Sequence, residues 1–278
     1  MSQYLQNFYN LLHEFYLISC LYINPDKTSL IVFNKQQQEC LVKDTHIMAK
    51  EFKIEPSNQI KLLGCYLNKQ LDYSTEISKL CSSISYKLNQ LKKLTHITNF
   101  NSRLAFARAY LINKLQYSMP LYTNLTSKNI ADLNRTLMNI ARYVHNDYCF
   151  MKRKSYILGK CGWDNIETMI SKSVVIFTHK VISSKIPQPL FNLIRYRENQ
   201  RGVSPLAPAY YPKTTKFKKN VLYKGLELIN SIDPKFRVLP HRNFKVKLKL
   251  QSLRLILFPH SRVTWLLYTI MTLYYCNK

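Results

Sequence analysis

Glycine and acidic side chains are both scarce in this sequence of 278 residues, which has five Gly and 15 Asp plus Glu against 41 Lys plus Arg. Few glycines leave little material for a phosphate cradle, and neither G-x-G-x-x-G nor G-x-x-x-x-G-K-[ST] occurs, so Rossmann and P-loop nucleotide sites are not expected. No G-x-S-x-G or H-E-x-x-H string occurs either, and the seven histidines stand apart from one another, which argues against serine hydrolases and zinc peptidases. The seven cysteines are scattered at 20, 40, 65, 81, 149, 161 and 276 without a C-x-x-C pair. That fits reduced core thiols in an intracellular chain, nuclear or cytoplasmic, better than a disulfide framework. His145, Cys149, Cys161 and His179 match no zinc spacing and read as structural residues, with no metal or other cofactor expected for this chain. The start, "MSQYLQNFYNLLHEF", lacks the basic region of a secretory leader. The apolar stretch Val263 to Cys276 is too short for a membrane span, so no membrane association is expected.

What the sequence does have is positive charge, +26 in formal terms, on a chain that is 46% hydrophobic. Enough apolar residues are present to build a core, and a field of that sign calls for a polyanionic partner, with RNA or DNA first. The charge is also patterned. Between Ile77 and Ala131 there is no acidic residue, yet Lys79, Lys87, Lys92, Lys93, Arg103, Arg108, Lys114 and Lys128 all fall there. Residues 211–254 carry twelve Lys or Arg, among them Lys216, Lys218, Lys219, Lys245, Lys247 and Lys249, against Glu227 and Asp233.

Periodicity predicts a mainly α protein with a small β element. Residues 3–22 place Leu5, Phe8, Leu12, Phe15 and Ser19 at helical steps and run into the turn Asn24-Pro25-Asp26. The β-branched, apolar run "SLIVF" after it suits a buried strand, and "FKI" and "KLLGCYL" read as strands flanking a turn, with Gly64 permitting a bulge. From Ser74 the pattern turns helical. One stripe is Ile77, Leu80, Ile84, Leu88 and Leu91; a second is Leu104, Ala107, Leu111 and Leu115; a third is Ile130, Leu133, Leu137, Ala141 and Val144. A fourth helix carries Ile166, Ile170, Val174, Phe177 and Val181, with Asp164 and Glu167 as its expected capping box and Pro187 and Pro189 beyond its end. The expected divisions are 1–73, a helix with a small sheet; 74–194, helical; 195–220, a proline-punctuated linker; and 221–278, a basic extension.

The segment order resembles the carboxy-terminal half of the reverse transcriptase of non-LTR (LINE-type) retrotransposons. The residues that carry the likeness are "CLYINPDKTSLIVF", "IKLLGCYLNKQLDY" with the leucine-striped helix after it, "GWDNIETMI", and "FKKNVLYKGLELINSIDPKF" followed by "FKVKLK". The resemblance implies an incomplete polymerase palm sheet, a thumb-like α-helical bundle and a basic carboxy-terminal extension. Lys27 would hold the place of the palm-loop lysine, which approaches nucleotide phosphates and supplies a proton to the departing pyrophosphate. Leu63, Gly64 and Tyr66 would match the hairpin that grips a primer end. Lys79, Lys87, Lys92, Lys93, Arg103 and Arg108 would track the backbone of an RNA–DNA hybrid.

The departure from the family lies in its metal carboxylates. Two-metal nucleotidyl transfer, run by Mg2+ in the complete family enzyme, needs at least two converging carboxylates. No Asp-Asp pair occurs in this sequence. The expectation is therefore a truncated reverse-transcriptase-like protein that binds RNA or DNA without sequence preference and does not polymerise on its own. Three other readings compete: a fragment of a full-length RNA-directed DNA polymerase whose gene continues upstream, an unstable product of a decayed gene, and a helical protein-interaction module.

Overall fold

The computed structural model describes residues 2–33, 46–49, 52–148, 152–196, 206–208 and 218–250. The apolar stretch 263–276, Lys216 and most of the 195–220 segment lie outside the described residues. The chain is mainly helical, with three two-stranded antiparallel pairs among the described residues. It divides into two compact units, residues 1–83 and 84–278.

In the first unit, α1 (Ser2–Ile18) lies against β1 (Ile47–Ala49), which pairs with β2 (Phe52–Ile54). Tyr9, Ala49 and Ile54 are the buried centre, with Ile23, Leu30 and Ile47 around them. Gln6 fastens the helix to the strand. Its amide donates to the Met48 carbonyl at 2.9 Å and accepts the Met48 N–H at 2.7 Å, so one side chain does what a neighbouring strand would do for that residue. The expected α1 stripe is only half right, because Phe8 and Phe15 are exposed and Tyr9 is the buried residue. Gln6 and Tyr9, three residues apart, fall together on the helix face that meets β1.

"SLIVF" is not a strand in the structure. Leu30 makes one parallel bridge to Pro56, and its carbonyl accepts the Ser57 N–H at 2.8 Å. A proline has no N–H to extend a ladder, so the pairing stops there. β3 (Gln59–Leu62) and β4 (Cys65–Asn68) form a hairpin in which Leu62 pairs with Cys65. Leu63 and Gly64 are the two-residue loop, with φ of 47° and 87°, the positive values of a type I′ turn. Gly64 is therefore a turn residue and not the strand bulge that its position in "KLLGCYL" suggested. After the hairpin, Asp72 accepts the Ser74 N–H at 3.0 Å at the start of α2 (Ser74–Lys92), whose stripe of Ile77, Leu80, Ile84 and Leu88 is buried as its spacing predicts.

The second unit is a helical assembly. α3 (Phe100–Phe106) runs through a π-turn, Ala107–Ile112, into α4 (Asn113–Gln116), and a 3-10 segment, Met119–Asn124, leads to α5 (Ser127–His145). α6 (Lys154–Cys161) and α7 (Ile166–Ser184) follow, then α8 (Gln188–Phe191) and the pair β5 (Ile194–Tyr196) and β6 (Leu206–Pro208). α9 (Val221–Asn230), α10 (Pro234–Arg237) and α11 (His241–Leu250) complete the described chain. Ala107, Leu111, Leu115, Leu133, Leu137, Ala141, Val144, Ile166, Ile170, Val174 and Val181 are all buried, at the positions the helical stripes predict. The α7 cap differs from expectation. Asn165 accepts the Thr168 N–H at 2.9 Å, whereas Asp164 is held 2.7 Å from Lys172 Nζ, two turns along the helix. With Asn165 at the cap position, the Asp164 carboxylate is free to pair with Lys172.

Residues 221–250 are part of this unit's core. Leu222, Leu226, Ile229, Phe244 and Leu248 pack with Val175 and Val181 of α7. α9 packs tightly on α7 at Gly225, where a Cβ would stand 1.9 Å from Thr178 Oγ1. A basic composition hid this because Lys245 and Lys247 are exposed while Phe244 and Leu248, four residues apart, are buried.

Candidate nucleic-acid interface

In the first unit, Lys27 closes the 3-10 turn Pro25–Lys27 and is exposed. Asn24 builds that turn, accepting the Asp26 N–H on its side chain at 2.9 Å while its carbonyl accepts from Lys27 N–H at 3.2 Å and Thr28 Oγ1 at 2.8 Å. These are the bonds that Asn-Pro-Asp chemistry predicts. Leu63 projects from the hairpin tip and is 83% exposed. Tyr66, on β4, is partly buried and held from two sides. Its N–H donates to the buried Glu76 carboxylate at 2.8 Å, and Lys79 Nζ, one turn further along α2, stands 3.4 Å from its ring centroid. Lys61, its cross-strand partner, is 5.6 Å from the same ring. The hairpin thus presents two ammonium groups about one aromatic ring, a cation–π arrangement that keeps both charges near the surface.

In the second unit, Lys87, Lys92 and Lys93 are exposed along the end of α2, and Lys218, Lys219, Lys245 and Lys247 are exposed near and on α9 and α11. Lys247 Nζ lies 5.2 Å from the Phe236 ring centroid. Lys249 belongs to α11, but its side chain lies outside the described residues. Lys216 does so entirely. Among the described residues, the ion pairs involve Lys53, Arg135, Lys172 and Lys224. Lys27, Lys79, Lys87, Lys92, Lys93, Lys218, Lys219, Lys245 and Lys247 form no ion pair with a described carboxylate.

The two arginines differ from this pattern. Arg103 is 8% exposed, and its guanidinium donates to the carbonyls of Val144 at 3.0 Å, Thr95 at 3.5 Å and Thr98. It joins the α5 terminus to the turn Thr95–Ile97 and is not presented to a phosphate. An Arg with five fixed donors is the residue that can satisfy several converging carbonyls at once, and sequence alone does not separate that use from phosphate contact. Arg108 is exposed, and one of its nitrogens donates to the Cys161 carbonyl at 3.1 Å, capping α6 where Gly162 turns left-handed.

His145, Cys161 and His179 are engaged within the fold, and Cys149 lies outside the described residues. Burial pushes the Cys161 thiol up to about 11. His145 Nε2 donates to the Ile157 carbonyl at 3.2 Å, and burial holds its pKa below the ordinary imidazole value. His179 is buried, stacks on Phe244 with ring centroids 3.8 Å apart, and donates to the Arg237 carbonyl. Among the described residues, no three His, Cys, Asp or Glu side chains group as metal ligands, and no helix is long and apolar enough to cross a membrane.

The structure also joins residues that sequence separated. A cleft of about 500 Å3 is lined by Lys92, Thr95, His96, Asn146 and Tyr148. Asn146 adopts the left-handed conformation at φ 53°, its N–H returning to the Arg142 and Tyr143 carbonyls, and that turn carries Tyr148 back toward α2. Lys92 Nζ is 5.8 Å from the Tyr148 ring centroid. His96, Asn146 and Tyr148 carried no signal in the sequence, because only the length of α5 and the turn after it bring them beside Lys92. Compared with known proteins, the chain matches no family model and no curated protein.

Proposed function

We propose that this chain is a reverse-transcriptase-like protein of the non-LTR retrotransposon type that binds RNA–DNA hybrid, or RNA or DNA alone, through phosphate contacts rather than base readout. The observation that carries the reading is the row of exposed lysines, Lys87, Lys92 and Lys93, on a segment without carboxylates and without a described ion pair. Unneutralised cations at a helix edge gain by releasing counterions from a phosphate backbone. The segment order from "INPDKT" through "FKVKLK" supports the same reading. Lys27, at the tip of an Asx-built turn, takes the part of a phosphate contact, and the carboxylates of two-metal polymerisation have no counterpart in the sequence.

The test is affinity for a short RNA–DNA hybrid over a salt series, with primer extension in magnesium run beside it. If about five phosphates are neutralised, log K falls with log salt at a slope of about −4. Binding with that slope and no extension is the expected outcome. Absence of binding at low salt, or binding that ignores salt, overturns the proposal, and extension overturns its non-catalytic half.

A further inference from the structure

We propose that the cleft between the end of α2 and the turn after α5 seats one unpaired nucleotide of a single strand, with the base on Tyr148 and its phosphate on Lys92. The inference rests on the nucleic-acid reading above and names a site within it.

The lining is chemically suited to a nucleotide. Its described lining offers the Tyr148 phenol, the Lys92 ammonium, the His96 imidazole, the Thr95 hydroxyl and the Asn146 amide, with no carboxylate among those residues. A base finds a π-face and several polar edges there. The volume, about 500 Å3, falls within the range of small-molecule sites. Tyr148 is 44% exposed, so its ring is available for stacking. Lys92, at 5.8 Å from that ring's centroid, is near enough to meet a phosphate attached to a stacked nucleoside and has no described carboxylate partner.

Two features near the cleft favour an anion. Arg103 ties Thr95 in one wall to Val144 before Asn146 in the other through three carbonyls, and it forms no ion pair with a described carboxylate. Its charge favours a phosphate in the cleft without touching it. Asp147, the acidic residue adjacent in sequence, is 7% exposed, accepts the Lys152 N–H at 3.2 Å and is not among the lining residues of the cleft. A paired base has its faces covered by its neighbours in the stack. The occupant is accordingly an unpaired nucleotide, of any sequence.

The experiment is equilibrium binding of a fluorescent oligothymidylate and, separately, of an RNA–DNA hybrid to the full chain and to Tyr148→Ala, Tyr148→Phe and Lys92→Ala. Tyr148→Ala is expected to weaken the oligothymidylate by about 5- to 150-fold and Tyr148→Phe to retain most of the affinity. Lys92→Ala is expected to reduce the salt slope by about 0.7. A bromouracil-substituted strand is expected to cross-link to Tyr148 in the unaltered chain, a readout that does not depend on any variant folding. Oligothymidylate binding indifferent to Tyr148→Ala, or cross-links only elsewhere, overturns the cleft. Hybrid binding without any oligothymidylate binding overturns the cleft alone, and loss of both ligands in the unaltered chain overturns the nucleic-acid reading with it.

Discussion

The imidazoles of His179 and His241 face each other Nδ1 to Nδ1 at 3.2 Å, between α7 and the start of α11. His179 Nε2 lies 3.1 Å from the Arg237 carbonyl, which only accepts, so Nε2 carries the proton. A neutral His179 then accepts at Nδ1, and His241 donates from its own Nδ1. The pair bonds well with one proton between the two Nδ1 atoms and is repelled with two.

That geometry makes α11 docking sensitive to acid. Burial lowers the pKa of both imidazoles, and the ammonium groups of Lys180 and Lys245 lower that of His241 further. The described charges that act on the pair are the ammonium groups of Lys180 and Lys245 on His241 and the His241 imidazole on His179, while Asp233 acts on Arg237. With folded values below 6.5, the unfolded chain binds more protons as pH falls, so the contribution is complete above about pH 6.5 and lost as pH drops through the lowered values. Melting temperature is expected to be lower at about pH 5 than at about pH 7.5, and by a smaller margin in His241→Asn. Equal margins in the two proteins would rule the pair out as the cause.

Gly225 and Thr178 set how closely α9 approaches α7. A Cβ at 225 would lie 1.9 Å from Thr178 Oγ1 and 2.8 Å from its Cβ. Both atoms sit in a closed interface, so Gly225→Ala is expected to destabilise the chain by about 2–3 kcal/mol. Thr178 Oγ1 is buried and has no hydrogen-bond partner among the described residues. Removing it loses no bond and empties the space the new methyl needs. Thr178→Ala in the Gly225→Ala background should recover part of the loss, and a double-mutant cycle in denaturant measures the coupling.

Arg103 makes a different demand. Its guanidinium is buried and bonds three carbonyls. Arg103→Met fills similar space and leaves those acceptors unpaired, with an expected loss of about 3 kcal/mol. Arg103→Lys should recover little, because a single ammonium cannot span the three oxygens. Chemical denaturation of both variants checks the order. A Lys variant as stable as the parent would mean that charge, not the fork of donors, holds the α5 terminus to the turn.

The helical stripes were readable in sequence because burial on one face repeats every three or four residues whatever the partner is. Ile77 to Leu88, Leu111 to Leu115 and Leu133 to Val144 needed no knowledge of tertiary structure. What covers a face is not written in the face itself. Phe8 and Phe15 are as apolar as Tyr9, and only the Gln6 bonds to Met48 decide which of them is buried. The same limit applies to charge. Arg103 and Lys92 look alike within an acid-free segment, yet one is consumed by backbone carbonyls and the other stands in a cleft beside a tyrosine that arrives from the far end of α5.

The hairpin tip offers the sharpest separation of stability from binding. Leu63 has φ 47° and is 83% exposed, so its side chain pays the steric penalty of a left-handed residue and gains almost nothing from burial. Asn tolerates that conformation, and Asn-Gly is the preferred pair for a type I′ turn. Leu63→Asn is therefore expected to stabilise the hairpin by about 1 kcal/mol, and Gly64→Ala, forced to φ 87°, to destabilise it by a similar amount. Both effects are read as shifts in denaturation midpoint. If Leu63 also rests against a nucleic-acid end, Leu63→Asn weakens hybrid binding while the protein becomes more stable, two changes of opposite sign that a purely structural turn cannot produce together.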